Sequence, residues 1–181
     1  MTRRLPPVSA ADNVTGPADA PVTLIEYGDY ECPYCGEAYP VLKAVQAALV
    51  GRLRFVFRNF PLTEMHPHAL RAAQFAAAAA ASGVFWAAHD MLYEHQDALD
   101  MASLTAYGDA LGIERRVLQA AFQGRYDAII QQDFVGGARA GVNGTPCLFI
   151  NGIRYDGPRD TQSLIHVLEQ AAAAAEMNAP A

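Results

Sequence analysis

The spacing of hydrophobic positions changes several times along the chain, and these changes predict its elements. Val22–Tyr27 is a run of apolar and β-branched residues after a proline, which predicts a buried strand. From Pro33 to about Val50 the apolar residues have helical spacing, and Leu53–Phe60 alternates between apolar and basic residues as a strand does. A strand, a helix and a strand within about 40 residues predict a βαβ unit whose strands are parallel.

The second half of the chain is first helical and then returns to strands. Helical spacing covers His68–Ala81, Val84–Gln96, Ser103–Leu111, Glu114–Phe122 and Tyr126–Arg139. Cys147–Ile150 and Ile153–Tyr155 predict two strands joined by Asn151-Gly152, a strong hairpin signal. Thr161–Ala175 predicts a final helix. The whole pattern predicts an α/β fold in which helices interrupt one small mixed sheet.

This pattern divides the chain into five segments. They are a flexible N-terminal leader (1–20), the first half of the core (21–62), an inserted helical domain (63–142), the second half of the core (143–176) and a C-terminal tail (177–181). The leader has two arginines near its start but no apolar stretch after them, so it does not predict a signal peptide. We therefore expect a cytoplasmic protein as written, or a periplasmic or exported one if the chain is a trimmed form.

Composition excludes several classes of protein. Hydrophobic residues make up 52% of the chain and charged residues 18%, which predicts a packed core rather than a disordered chain. The net charge is −6 and there is no block of basic residues, so nucleic acid is not an expected partner. No apolar run is long enough to predict a membrane span. Three cysteines are too few for a small disulfide-stapled scaffold.

Two of these cysteines form the motif Cys32-Pro33-Tyr34-Cys35, which follows the first predicted strand and opens the first predicted helix. At this position the helix dipole and the unpaired N–H groups stabilise a Cys32 thiolate. Cys35 lies one turn further in, where it can resolve a mixed disulfide. Pro33 suits the first helical position, and Tyr34 is expected to modulate the thiolate and contact a partner.

Three alternatives to a redox site stay open for this motif. Half of a zinc site would need two more ligands, but there is no second C-x-x-C and the histidines lie elsewhere in the pattern, so no metal is predicted. A purely structural disulfide would close a loop too short to stabilise much. Coincidence is the third alternative. A thioredoxin-like redox site fits the strand–helix context best.

Gly144-Thr145-Pro146 places a proline directly before a predicted buried strand. A cis-proline packed against the cysteine pair would keep the strand end open for the backbone of a substrate. The alternative is an ordinary trans-proline at the start of a strand.

Four stretches together resemble the DsbA-like thioredoxin-fold oxidoreductases, in which a helical domain interrupts the thioredoxin fold. They are LIEYGDYECPYCGEAYP (24–40), FRNFPL (57–62), HPHA (66–69) and VNGTPCLFING (142–152). The resemblance runs from about Asp19 to Ala175. It implies a thioredoxin-like α/β fold with an inserted helical domain, and thiol–disulfide exchange as the activity.

The resemblance also implies roles for individual residues. Cys32 would be the nucleophile, Cys35 the resolving thiol, and Thr145 and Pro146 the cis-proline loop. Glu26, six residues before Cys32, would be buried with a raised pKa and would move protons for Cys35. The alternative for Glu26 is a glutamate at a strand end that reaches solvent.

Three features qualify the resemblance. The best-known members have Pro-His between the cysteines where this chain has Pro-Tyr, so one imidazole near the thiolate is missing. Strand alternation should turn Cys147 away from Cys32 and into the core, with a redox role as the alternative. His66 and His68 could suggest a metal pair, but helix capping or interdomain hydrogen bonds account for them better.

The resulting prediction is a monomeric enzyme that needs no cofactor other than its redox-active cysteine pair. Its expected partners are protein or peptide thiols and disulfides, together with glutathione or a thioredoxin-type redox protein. Two other functions stay open. One is a glutathione-dependent transferase or isomerase of the same architecture, which usually has serine at the first cysteine. The other is a client-binding or chaperone module without redox chemistry.

Overall fold

A computed structural model describes residues 5–178, which form a five-stranded sheet and seven helices. The strands are β1 (Asn13–Thr15), β2 (Val22–Gly28), β3 (Leu53–Asn59), β4 (Cys147–Ile150) and β5 (Ile153–Tyr155). The helices are α1 (Pro33–Ala48), α2 (Ala69–Ala81), α3 (Phe85–Glu94), α4 (Met101–Ala110), α5 (Arg115–Phe122), α6 (Asp127–Ala140) and α7 (Thr161–Met177). The predicted α/β fold, in which helices interrupt one small mixed sheet, is confirmed.

The sheet has the order β1-β3-β2-β4-β5. Strands β2 and β3 are parallel, as the βαβ pattern predicted, and every other neighbouring pair is antiparallel. The hairpin between β4 and β5 turns at Asn151 (φ 47°) and Gly152 (φ 83°). Two consecutive residues with positive φ are what a tight two-residue hairpin requires, and this explains the Asn-Gly pair.

Alternate residues of the strands enter two separate hydrophobic clusters, one on each face of the sheet. The larger cluster joins the sheet to α1, α7 and the helices between β3 and β4, through residues such as Leu24, Phe57, Val45, Leu168 and Phe75. The smaller cluster lies on the other face beneath α6 and the N-terminal segment; its buried members are Ile25, Tyr27, Val56, Phe60, Ala140, Val142, Cys147 and Phe149.

The flexible leader predicted for residues 1–20 is wrong for the part that the structure describes. Asn13–Thr15 forms β1, which pairs with the edge of β3 in the register Val14 to Val56. A strand of three residues is too short to produce a recognisable period in the sequence. Gly16 then turns the chain with φ 87°, where a side chain would strike the backbone of Leu53.

Arg58 anchors the rest of this N-terminal segment. Its guanidinium forms an ion pair with Asp12, with Nε 2.6 Å from Oδ1, and both side chains are almost fully buried. It also donates to the backbone oxygens of Pro6 and Pro7 and to the Tyr27 hydroxyl, at 3.0–3.1 Å. Because a buried guanidinium needs many acceptors, the segment is held by specific bonds. Residues 1–4 of the predicted leader lie outside the described residues.

Five helices, α2 to α6, lie between β3 and β4. Their bounds agree with the predicted segments to within one or two residues, and α4 begins at the N-cap Asp100, which accepts hydrogen bonds from Ala102 and Ser103. The division of the chain into domains stays a prediction. The predicted tail begins inside α7, which ends at Met177, and residues 179–181 lie outside the described part of the chain. Within the described residues, every helix is too short or too polar to cross a membrane.

We expect Asp12→Ala to destabilise the fold strongly. It leaves the Arg58 guanidinium buried without its carboxylate, and breaking a buried pair in this way costs about 3 kcal/mol or more. Urea unfolding of the variant measures the loss.

The matched control is Asp109→Ala, which removes the carboxylate of the solvent-exposed pair between Asp109 and Arg115. Exposed pairs contribute little, so this control should unfold close to wild type. Equal destabilisation by the two substitutions would contradict a buried anchor at Arg58.

Candidate active site

Cys32 directly precedes helix α1, and the local sequence explains why. Pro33 is the first helical residue, where its fixed φ and missing N–H cost nothing. The carbonyl oxygen of Cys32 accepts hydrogen bonds from the N–H groups of Cys35 and Gly36, both at 3.1 Å. Cys32 is 3% exposed and Cys35 is fully buried, whereas Tyr34 between them is 67% exposed. The thiol of Cys32 therefore lies just below the surface at the positive end of the helix.

The loop before β4 lies against this thiol. The Thr145–Pro146 peptide bond is cis, as predicted, and the alternative of an ordinary trans-proline is wrong. The thiol of Cys32 donates a hydrogen bond to the backbone oxygen of Thr145, at a sulfur–oxygen distance of 3.4 Å. The Thr145 hydroxyl is buried and has no hydrogen-bond partner among residues 5–178, so it is free to turn toward a thiolate.

The two motif cysteines are free thiols, and their pKa values are shifted in opposite directions. The hydrogen bond from Cys35 lowers the pKa of Cys32 to about 5; burial opposes this shift, and hydrogen bonds from the N–H groups of Cys35 and Tyr34 add to it. Burial raises the pKa of Cys35 well above its ordinary value, and the hydrogen bond with Cys32 and the charge of Glu26 act in the same direction. At neutral pH Cys32 is therefore a thiolate while Cys35 keeps its proton.

Glu26 lies in the middle of the sheet, opposite Phe57 of β3 and Leu148 of β4. It is 2% exposed, and its Oε1 has no hydrogen-bond partner within the described chain. Burial raises the pKa of Glu26 to about 8; the charge of Arg159 opposes the shift and that of Cys32 adds to it. The predicted burial and raised pKa are thus found, and the alternative of a solvent-exposed strand end is wrong.

Asp29 connects the turn before Cys32 to the loop after β3. Its carboxylate accepts hydrogen bonds from the backbone N–H groups of Glu31 (2.9 Å) and Leu62 (2.8 Å), and its Oδ2 lies 2.8 Å from His66 Nδ1. Burial lowers the pKa of His66, but the hydrogen bond and charge of Asp29 outweigh it, so the pKa rises. An imidazole therefore stands near Cys32, although it comes from outside the C-x-x-C motif.

His66 and His68 do not act as a pair. The expected hydrogen bonds between this segment and the core are found, since His66 contacts Asp29. His68 is the N-cap residue of α2, but its side chain makes no capping hydrogen bond. Its backbone N–H donates to Glu31 Oε2 at 2.5 Å. Over residues 5–178, no group of three or more histidine, cysteine or acidic side chains is arranged to hold a metal ion.

Cys147 lies on the other face of the sheet from the motif cysteines. It belongs to the smaller hydrophobic cluster, while Cys32 and Cys35 belong to the larger one. Burial raises the pKa of the Cys147 thiol. The expectation that it turns away from Cys32 into the core is confirmed.

Sequence reasoning missed one side chain that contacts the motif directly. Gln96, two residues after α3, donates from Nε2 to the backbone oxygens of Tyr30 (2.7 Å) and Cys32 (3.0 Å). The separation of 64 residues between Gln96 and Cys32 leaves no local pattern. The only indirect signal is Gly36, a glycine inside a helix with no turn to explain it.

At neutral pH we expect iodoacetamide to alkylate the reduced protein first at Cys32. The alkylation rate should follow the thiolate and reach half its maximum near pH 5, because the pKa of Cys32 is lowered to about that value. Mass spectrometry of the alkylated protein locates the label. Cys147→Ala should keep this fast reaction and Cys32→Ser should lose it. A half-maximum near the ordinary thiol pKa of 9 would contradict a stabilised thiolate.

We expect Glu26→Gln to change how stability depends on pH. In the folded protein Glu26 keeps its proton up to its pKa of about 8, whereas the unfolded chain releases it near 4.5. The folded state therefore loses stability through this group as pH rises from about 4.5 to about 8, and the variant does not. Urea unfolding at several pH values should show the stability of Glu26→Gln relative to wild type growing through that window. The exposed Glu169→Gln is the control; two parallel stability curves for Glu26→Gln and wild type would contradict the prediction.

The chain matches a family model and several curated proteins. The family model, described as Thioredoxin, matches residues 9–170. A relative from Salinispora tropica named Na(+)/H(+) antiporter NhaA 3 is 40% identical over 167 residues, which are 92% of this chain and 26% of that protein. A relative from Herminiimonas arsenicoxydans named Na(+)/H(+) antiporter NhaA is 34% identical over 91% of this chain and 26% of that protein. The chain thus spans about a quarter of the length of the curated relatives it matches.

Solved structures share the fold over nearly the whole chain. A thioredoxin-like oxidoreductase from Silicibacter pomeroyi aligns with a TM-score of 0.80 and 24% identity, covering 94% of this chain and 95% of that one. BdbD from Bacillus subtilis aligns with a TM-score of 0.81 and 20% identity, and the alignment covers 94% of this chain and 97% of that one. Wolbachia pipientis α-DsbA1 aligns with a TM-score of 0.81 and 18% identity, and the alignment covers 94% of this chain and 95% of that one. These matches confirm the resemblance in fold to DsbA-like proteins, and the family model shows that the chain belongs to the thioredoxin family.

Proposed function

We propose that this chain is a thiol–disulfide oxidoreductase that exchanges its Cys32–Cys35 pair with protein or peptide substrates. The observation that carries the proposal is the contrast between the two thiols. Cys32 lies near the surface with a pKa lowered to about 5, and Cys35 behind it is buried with a raised pKa. A stabilised thiolate beside a protonated resolving thiol is the arrangement that thiol–disulfide exchange needs.

The reaction then runs in two steps. The Cys32 thiolate attacks one sulfur of a substrate disulfide, and the other substrate sulfur leaves as a thiolate. Cys35 then loses its proton and attacks Cys32 Sγ, which releases the second substrate sulfur and closes the Cys32–Cys35 disulfide. One disulfide is reduced and one is formed, so no other reductant enters. The reverse sequence oxidises a substrate dithiol, and the reduction potential relative to the surroundings decides the direction.

Glu26 is the proposed proton acceptor for Cys35. The charge of Glu26 raises the pKa of the Cys35 thiol, and the pKa of Glu26 itself, about 8, lets it hold or release a proton near neutral pH. Its ionised carboxylate takes the Cys35 proton in the second step, and in the reverse reaction it returns the proton. Thr145, whose backbone oxygen lies 3.4 Å from the Cys32 sulfur, and Pro146 are proposed to face the substrate backbone.

Two large hydrophobic side chains are exposed in the segments that meet at the turn before α1. Tyr34 lies inside the motif and is 67% exposed; Met65, 73% exposed, precedes the His66 that contacts Asp29. Exposed apolar side chains at a site favour protein or peptide partners over small polar ones. Glutathione or a thioredoxin-type protein is proposed as the partner that restores the cysteine pair.

Ion transport is not part of the proposal. The antiporter name belongs to proteins of which this chain matches 26%. A glutathione transferase with serine at the first position is also not favoured, because Cys32 stands there.

The test is insulin reduction with dithiothreitol as electron donor, together with equilibration of the purified chain in glutathione buffers. Wild type should accelerate insulin reduction and form an intramolecular disulfide, and Cys32→Ser should lose both. Cys35→Ser should accumulate mixed disulfides, because the resolving thiol is absent. Cys147→Ala is the matched control and should behave as wild type. An inactive wild type, or full activity in Cys32→Ser, would contradict the function.

A further inference from the structure

Gln96 contacts the backbone on both sides of the turn that carries Cys32. The oxygens it bonds, those of Tyr30 and Cys32, belong to the peptide units before Glu31 and after Cys32. The N–H of Cys32, which lies between them, donates to the backbone oxygen of Asp29 at 3.1 Å. These three hydrogen bonds hold the backbone on both sides of the Cys32 Cα.

The chemistry of the amide fixes how Gln96 is oriented. Its NH₂ group has two donor hydrogens, and the two carbonyl oxygens use both of them. The flipped amide would turn its own oxygen toward two other oxygens, which repel it. Gln96 therefore acts through its donors, and neither a carboxylate nor an apolar side chain of the same length could replace these bonds.

Gly36 leaves the space that the Gln96 side chain occupies. A Cβ on Gly36 would lie 1.9 Å from Gln96 Oε1, far inside any permitted contact. Gly36 sits within α1, where the backbone does not require glycine and alanine is the better helix former. Room for Gln96 is thus the physical reason for glycine at this position.

Helix α3 holds Gln96 in place by running along α1 in the opposite direction. Lys43 of α1 pairs with Asp90 at 2.9 Å, and one turn earlier the Tyr39 hydroxyl donates to Glu94 at 3.2 Å. Because α3 runs toward the start of α1, the residues that follow α3 lie beside Cys32, and Gln96 bonds to its backbone there. The segment that follows α3 thus contacts the backbone of the motif cysteine through the Gln96 side chain.

We propose that Gln96 is a positioning residue, through which the helices between β3 and β4 fix the backbone of Cys32 and set its reactivity. The proposal rests on the proposed thiol–disulfide exchange. A held Cys32 keeps its sulfur within reach of the Cys35 thiol, whose hydrogen bond stabilises the thiolate. Without Gln96 the sulfur samples positions in which this bond is lost.

The first experiment measures the pKa of Cys32 in Gln96→Met by following the thiolate absorbance with pH, in a Cys147→Ala background. Methionine keeps the length of the side chain and removes both donors. We expect the pKa of Cys32 to rise by about one unit, a tenfold change in its acid dissociation constant. Gln119→Met, an exposed glutamine on α5, is the matched control and should leave the pKa unchanged.

The second experiment asks whether Gly36 and Gln96 act together. Gly36→Ala forces the Gln96 side chain away and should raise the pKa of Cys32 as Gln96→Met does. The double variant Gly36→Ala/Gln96→Met should show no further rise, because the alanine then displaces nothing that bonds to Cys32. Circular dichroism identifies a variant that unfolds, and the milder Gln96→Asn, whose amide is too short to reach both oxygens, then takes its place.

The proposal and the proposed function can fail separately. An unchanged pKa of Cys32 in folded Gln96→Met, or additive shifts in the double variant, would overturn the role of Gln96 while wild-type exchange activity stands. A wild type that does not exchange thiols would overturn the proposed function, whatever the pKa shifts. Matching, non-additive shifts in an active protein support both.

Discussion

The turn from Asp29 to Cys32 forms hydrogen bonds with three segments that are distant from it in the sequence. It joins the end of β2 to the start of α1, and the Asp29 carboxylate binds the loop after β3 through Leu62 and His66. The loop before β4 reaches it through Thr145, and the segment after α3 reaches it through Gln96. Because these separate segments bond to the same few residues, the position of the Cys32 sulfur depends on how all three pack. A thiolate just below the surface needs such support, since burial by itself favours the neutral thiol.

The buried polar groups near this turn lower the stability of the folded state. Glu26 in the middle of the sheet and the buried Asp29 both occupy sites where an apolar side chain would stabilise a fold more. Three hydrogen-bond partners offset part of the free energy that burying the Asp29 carboxylate costs, whereas one oxygen of Glu26 has no partner in the described chain. Arg58 and Asp12, by contrast, are buried beside the N-terminal segment and hold it in place. Polar burial thus holds the N-terminal segment on one face of the sheet, and on the other it lies beside the cysteine pair proposed for exchange.

Local patterns in the sequence were enough to predict most of the fold and the centre of the site. The C-x-x-C motif at a strand–helix junction, the Thr-Pro pair before a strand and the Asn-Gly hairpin each depend on neighbours within a few residues. What could not be predicted depends on contacts between distant parts of the chain. The strand Asn13–Thr15 exists because β3 offers it an edge, and Gln96 acquires its role only when α3 packs along α1. In the sequence, the contact is indicated only by Gly36 inside α1, and a glycine alone does not identify the residue that fills the space beside it.

The placement of Cys147 on the far face of the sheet has a practical consequence. The strands stand between this thiol and the motif pair, so a wrong disulfide between them requires the sheet to open. Cys147 is buried by the hydrophobic cluster that closes over it when the chain folds, and a labelling reagent reaches it only when that cluster separates. The labelling rate of Cys147 therefore measures how often the smaller hydrophobic cluster opens, whereas labelling of the motif pair reports its redox state.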